Sequence, residues 1–186
     1  MSQPRGWFWA TGAPTRVPYL LDERRRVWID IGTPSSHADA GRSLNKRSMM
    51  PSVFITGAST GIGHDAVLRM SNRGWTTFAG VRTDEDGQRV IEDSGGRAQP
   101  VRCDITSPEE IEEARTSILA ATGGNLTGLV NNAGVALAGP IEFVPISDLR
   151  RQIETNVIGH AAVTKAFIPA LRSEAGRIVN ISSASG

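Results

Sequence analysis

From residue 53 onward, short apolar runs alternate with longer stretches whose apolar positions recur every three or four residues. The runs at 53–56, 76–81, 99–103, 128–130 and 177–181 have the length of strands. Strand and helix in alternation build a parallel sheet covered by helices on both faces. The helix before the fourth run is the best punctuated. Ser107 stands at its N-cap, Pro108 at the first helical position and Glu110 three residues after the cap, so a capping box is expected. Glu109, Glu110, Glu112 and Glu113 read as a solvated helix start that complements the dipole. A further long helix starts at Ser147. Its residues Leu149, Ile153, Val157, Ala161, Thr164 and Ile168 fall at helical spacing and are expected to face the sheet. Residues 1–49 show no sustained period of either kind.

Charge sharpens that boundary. Residues 1–49 carry eight Lys/Arg against four Asp/Glu, and residues 50–186 carry twelve against fifteen. The first segment also holds Trp7, Trp9 and Trp28 and a run from Arg24 to Arg26. It is expected to be an extension without a fold of its own, or to precede a natural start at Met49 or Met50. Asp22, Glu23, Asp30 and Asp39 argue against a transit peptide, which is poor in acids. Residues 50–186 then form one α/β domain. At 39% hydrophobic and 21% charged residues the chain has an ordinary globular composition, and a net charge of +1 gives no basic excess for nucleic acid. Cys103, the single cysteine, excludes an internal disulfide and a cysteine-based zinc site and fits a reduced, cytoplasmic setting. No apolar stretch approaches the ~20 residues of a bilayer span, so no membrane span is expected. His64 and His160 have no metal partners at ligand spacing and read as structural or exposed, so no metal site is expected.

The candidate chemistry begins at the end of the first run. Val53-Phe-Ile-Thr-Gly57-Ala-Ser-Thr-Gly61-Ile-Gly63 is a strand passing through a glycine-rich turn into a helix. Gly57 permits a tight turn, Gly61 lets the main chain approach a pyrophosphate, and Gly63 lets helix and strand pack closely. Helix-end amides and the dipole favour the anion. The spacing G-x-x-x-G-x-G differs from the general dinucleotide fingerprint and lacks the Gly-Lys-Ser/Thr of a triphosphate loop.

Thr56 to Gly63, T-G-A-S-T-G-I-G, resembles the cofactor motif of the short-chain dehydrogenases/reductases, with Ser59, Thr60 and Ile62 among the residues that would touch the cofactor. Cys103-Asp104-Ile105 is similar to the family segment whose Asp and following apolar residue border the adenine. Asn131-Asn-Ala-Gly134 resembles its N-N-A-G element, so Asn131, Ala133 and Gly134 are expected in the cofactor site. Asn156 matches the helix asparagine of the catalytic tetrad, and the stretch from Gly176 to Ser183 resembles the strand leading to the catalytic serine, here Ser183. Each element alone has a plainer reading as a turn or cap. Their shared order over residues 50–186 carries the resemblance. It implies a Rossmann-like doubly wound sheet of strand order 3-2-1-4-5, five strands of an expected seven, and an oxidoreductase acting on an alcohol or carbonyl compound.

The stretch Ala79-Gly80-Val81-Arg82 puts glycine where NAD-preferring members carry Asp, and Arg82 can pair with a 2′-phosphate. NADP(H) is the favoured cofactor, with Asp84 and Asp86 leaving NAD open. The stretches from Ala138 to Phe143 and from Phe78 to Arg82 are similar to members acting on retinol-like or steroid-like substrates. The family's Tyr and Lys would follow Ser183, but the chain ends at Gly186 and its single tyrosine is Tyr19. Lys165, on the helix before the serine strand, cannot stand for the family lysine. The expectation is a chain cut before its active site is complete, with weak cofactor binding, no turnover, and a homo-oligomeric full-length parent. The alternative is a non-catalytic dinucleotide-binding protein that senses cofactor or contacts a partner.

Overall fold

The computed structural model describes residues 50–137 and 139–183, so the reading of residues 1–49, Tyr19 included, lies outside the described residues. Five strands, β1 (Ser52–Ile55), β2 (Thr76–Val81), β3 (Ala98–Arg102), β4 (Gly128–Asn131) and β5 (Arg177–Asn180), form one parallel sheet. Their order is β3-β2-β1-β4-β5, as expected. Helices α1 (Gly61–Asn72), α2 (Asp84–Ser94) and α3 (Pro108–Ala121) make the first three crossovers. The last crossover holds a 3₁₀ turn (Ile141–Phe143) and then α4 (Ile146–Ile153), a π turn (Glu154–Gly159) and α5 (His160–Ser173) in direct succession. The chain leaves β1 toward β2 and later returns to β1's other side at β4. A crevice opens at that reversal, above the carboxyl ends of the strands, where ligands of this architecture bind.

Central position explains composition. β1 is paired on both sides, and Val53, Phe54 and Ile55 are fully buried, whereas Pro100, which cannot donate to a ladder, sits in the outer strand β3. Phe54 and Phe167 meet at a centroid distance of 5.2 Å and a 40° tilt, joining β1 to α5 across a core that includes Phe78, Ile118, Leu129 and Val163.

Two local expectations fail. The stripe Leu149, Ile153, Val157, Ala161, Thr164 and Ile168 does not form the face packed on the sheet, although Thr164 touches it: Ile153 is 48% and Val157 52% exposed, while Val163 and Phe167 are fully buried. Both stripes have helical spacing. Ile153 is already exposed at the end of α4, and within α5 the buried face runs through Val163, Phe167 and Ala170, one residue out of register with Thr164 and Ile168. Nor is Glu110 merely solvated. Ser107 Oγ accepts from Glu110 N at 3.2 Å, as half of a capping box requires, but the Glu110 carboxylate accepts from Asp104 N at 2.7 Å instead of returning to Ser107. It ties the exit of β3 to α3.

Candidate functional site

The exits of β1 and β4 are laced together by side chains. Thr56 Oγ1 accepts from the amides of Asn132 at 3.0 Å and Ala133 at 3.1 Å, and its hydroxyl lies 3.3 Å from the Val130 carbonyl to which it donates. Asn132 Nδ2 donates to the carbonyls of Thr56 (3.0 Å) and Gly57 (2.8 Å). Gly57, at φ +62°, lies against Ala133, where an added Cβ would come within 2.5 Å of its Cα. A Cβ at Gly63 would collide with the Asn132 side chain and the Gly57 carbonyl. Gly61 differs: a Cβ there would meet nothing within 4 Å, it is not among the residues that line the cavity at the carboxyl ends of the strands, and its φ of +60° is what favours glycine.

The amino ends of the helices differ in the same sense. α2 starts at Thr83, whose hydroxyl accepts from Asp86 N, with Asp84, Glu85 and Asp86 in its first turn. α3 has Ser107 as its cap, with Glu109 and Glu110 in its first turn. α1 has no side-chain cap and no acid in its first turn. Its first amides and positive dipole end are left for an anion from outside the chain.

These features border one cavity of about 510 Å³ at the carboxyl ends of the strands, within the range of small-ligand sites. Its walls come from the glycine turn (Gly57, Ser59, Thr60, Ile62), the end of β2 (Gly80, Val81, Arg82), the segment after β3 (Cys103, Asp104, Ile105, Thr106) and the segment after β4 (Asn132, Ala133, Gly134, Val135). Arg151, Thr155 and Ile181 complete them. Nine of the expected cofactor residues, namely Gly57, Ser59, Thr60, Ile62, Arg82, Asp104, Ile105, Ala133 and Gly134, therefore share this wall.

Others stand elsewhere. Asn131, expected in the site, lies beneath the floor: it is 1% exposed, and its Nδ2 donates to Thr164 Oγ1 and Asn180 Oδ1, both at 2.9 Å, bracing β4 against α5 and β5. Gly63 is buried behind Asn132 and acts by packing. Ser183 is exposed and follows Ile181, which lines the cavity. Asn156 spends both ends of its amide on one residue: Oδ1 accepts from Val135 N at 2.9 Å, and Nδ2 donates to Val135 O at 2.8 Å.

Asn156 is the middle of a ladder the sequence did not reveal. Gln152 Oε1 accepts from Leu137 N at 2.8 Å, and a His160 ring nitrogen lies 2.5 Å from the Ala133 carbonyl. Side chains four apart on the helix thus hold backbone groups two apart on the extended segment 133–137, running in the opposite direction. His64, the other histidine of the domain, lies 3.1 Å from Asp93 without hydrogen-bond alignment and links α1 to α2.

Asp104 and Cys103 have shifted acidities. Partial burial works to raise the Asp104 pKa, but the Thr106 amide and hydroxyl donate to its carboxylate, and with the Arg82 charge they hold it below the usual carboxylate value. Burial, with the nearby charges of Glu110 and Asp104, pushes the Cys103 thiol up to about 12. It stays a neutral wall residue and not a nucleophile. Among the described residues no group of acids, histidines and cysteines could hold a metal ion, and no helix is long and apolar enough to cross a membrane.

A family model described as short chain dehydrogenase matches residues 51–186. The chain belongs to the short-chain dehydrogenase family. Within that family it is 38% identical over 136 residues to a 3-amino-tetrahydro-pyrrolizinone reductase of Xenorhabdus hominickii, covering 73% of this chain and 46% of the relative. It is 37% identical over 140 residues to estradiol 17-beta-dehydrogenase 2 of Mus musculus, covering 72% and 36% respectively. A solved actinorhodin polyketide ketoreductase with NADPH is similar at a TM-score of 0.67 and 30% identity, over 72% of this chain and 53% of that one. The chain thus spans under half the length of the two curated relatives.

Proposed function

We propose that this chain carries the cofactor-binding part of an NADP(H)-dependent oxidoreductase acting on the alcohol or carbonyl group of an apolar, retinoid-like or steroid-like substrate. The observation that carries this reading is the uncapped, acid-free start of α1 opening onto a cavity bordered by Asp104, Ile105, Ala133 and Gly134. When bound, the nicotinamide supplies or takes up a hydride. The chain's own residues bind and orient. The amides from Ser59 to Gly63 receive the diphosphate, Asp104 and Ile105 border the adenine, and Ala133 and Gly134 form the floor under the redox ring. The ladder on Gln152, Asn156 and His160 holds that floor in place, and Ser183 orients the substrate oxygen.

The choice of NADP(H) rests on Arg82, which lines the cavity at the end of β2, where Asp84 and Asp86 do not. Asp86 instead accepts from the Thr83 hydroxyl and pairs with Arg89. The similar ketoreductase, solved with NADPH, supports the same choice. An apolar substrate is supported by Ile141 and Phe143, each 75% exposed on the segment between Val135 and Arg151, two residues of the cavity wall. A dehydrogenase of estradiol among the relatives points the same way. The reading places the protein in the reduced cytoplasm, as a homo-oligomer in full-length form.

The group that would pass the proton to the substrate oxygen is expected after Ser183, and the 186-residue chain on its own is proposed to bind cofactor without turnover. Titrating NADPH and NADH into it tests the reading. Tighter binding of NADPH, a melting transition raised by cofactor and no turnover are expected. Arg82→Ala should reduce the preference, and an unchanged ratio of the two dissociation constants would defeat the assignment of NADP(H). Carbonyl reduction above a Ser183→Ala control would defeat the assignment of inactivity.

A further inference from the structure

Arg151 has no place in the readings above, yet it lines the cavity. It stands four residues before Thr155, also in the wall, and the helix continues from there through the π turn to Gly159. At the end of that turn a Cβ on Gly159 would come within 2.9 Å of the side chain and carbonyl of Ile105. Arg151 and Thr155 thus share the cavity with Asp104, Ile105 and Thr106, the wall read above as bordering the adenine. Asn156 and its Val135 contacts lie on the neighbouring face of the helix.

We propose that Arg151 is a specificity-determining residue for the cofactor: together with Arg82 it supplies the positive charge that a 2′-phosphate needs. The inference rests on the NADP(H) reading and adds a second cation to it. Charge balance is the reason. A 2′-phosphate is a dianion, and Arg82 and Arg151 both line the cavity that would receive it, so one guanidinium alone leaves half of that charge unmatched. Arg151 makes no ion pair among the described residues. It is exposed, and its long side chain is free to turn into the cavity. A guanidinium meets phosphate oxygens through two parallel donors.

The test is direct titration of NADPH and NADH, at low and high salt, into the full 186-residue chain and its Arg151→Gln and Arg151→Lys variants. Arg151→Gln should weaken NADPH by about tenfold, the loss of one charge-assisted contact. It should change NADH less than about twofold and flatten the salt dependence of NADPH binding. Arg151→Lys should recover most of the loss. Melting temperatures without cofactor should agree across the three proteins, because the residue is exposed and unpaired in the described structure. Equal losses for both cofactors, or no loss for NADPH, overturn the role of Arg151 while leaving the reading of the cavity intact. A wild-type chain that binds neither cofactor, or prefers NADH, overturns both.

Discussion

Residues 50–107, which form β1 to β3 with α1 and α2, leave two large apolar side chains well exposed, Met50 and Ile62, whereas residues 128–183 leave eight, from Ile141 to Ile178. The contrast holds strand by strand: every residue of β1 is buried, while β5 has Arg177, Ile178 and Asn180 exposed. The first region buries nearly all of its large apolar side chains in the core it shares with α5. The second makes a similar contribution to the core through Val163, Phe167, Ala170 and Leu171, but carries a further apolar surface that the described residues do not cover. Apolar periodicity in the second region therefore serves two surfaces, in the first only one.

Four substitutions probe this contrast, beginning with the strongest. Phe167→Ala removes the ring packed on Phe54 and should cost about 3–5 kcal/mol in urea unfolding. A loss confined to amides of residues 128–183 in hydrogen exchange would show instead that the two regions open separately. Gly57→Ala should cost about 1–3 kcal/mol through its positive φ and its approach to Ala133, and should abolish cofactor binding in the same titration. Asn156→Ala strips both partners from the Val135 backbone. A loss on the order of 1–3 kcal/mol is expected, with faster exchange of the Val135 amide as the local readout. Ile153→Lys, on the surface stripe, should change stability by no more than about 0.5 kcal/mol. A large loss there would mean the exposed stripe is already buried in solution.

Acid sensitivity provides a fifth handle. The Asp104 carboxyl is held below its ordinary pKa, so the charged form is favoured in the folded state. Its contribution is present above the unfolded value and disappears as pH falls through the lowered folded one. Asp104→Asn should flatten that acid limb, and melts from neutral pH downward would reveal an unchanged slope if Asp104 had no part in it.

The sheet was legible because each strand is a local apolar run. All five observed strands begin and end within one residue of the expected positions, and the order follows from the parallel crossovers. The turn itself was legible too, since its glycines stand close together in the sequence and Gly57 and Gly63 occupy places where a Cβ would collide. What escaped was non-local. Thr56, Asn132 and His160 act on backbone groups 27 to 77 residues away, and a backbone acceptor has no letter in the sequence. Asn131 was misplaced for a related reason. Adjacent strand residues point to opposite faces, and the motif alone does not tell which of two neighbouring asparagines points into the crevice. The stripe on the last helix failed because α5 carries two apolar series one residue apart, Thr164 and Ile168 beside Val163 and Phe167, and spacing alone does not tell which of them the core takes.

The rungs formed by Gln152, Asn156 and His160 fix a length more strictly than a sequence. Four helical residues advance about 6.0 Å and two extended ones about 6.6 Å, so the two repeats stay in step over three rungs and would drift apart over many more. The rungs grip Val135 and Leu137 through main-chain atoms, so exchanging those side chains should be forgiven in a mutational library. Adding or deleting one residue between Ala133 and Leu137 turns the next carbonyls and amides away from their partners, and such variants should be missing from any selection for folded protein.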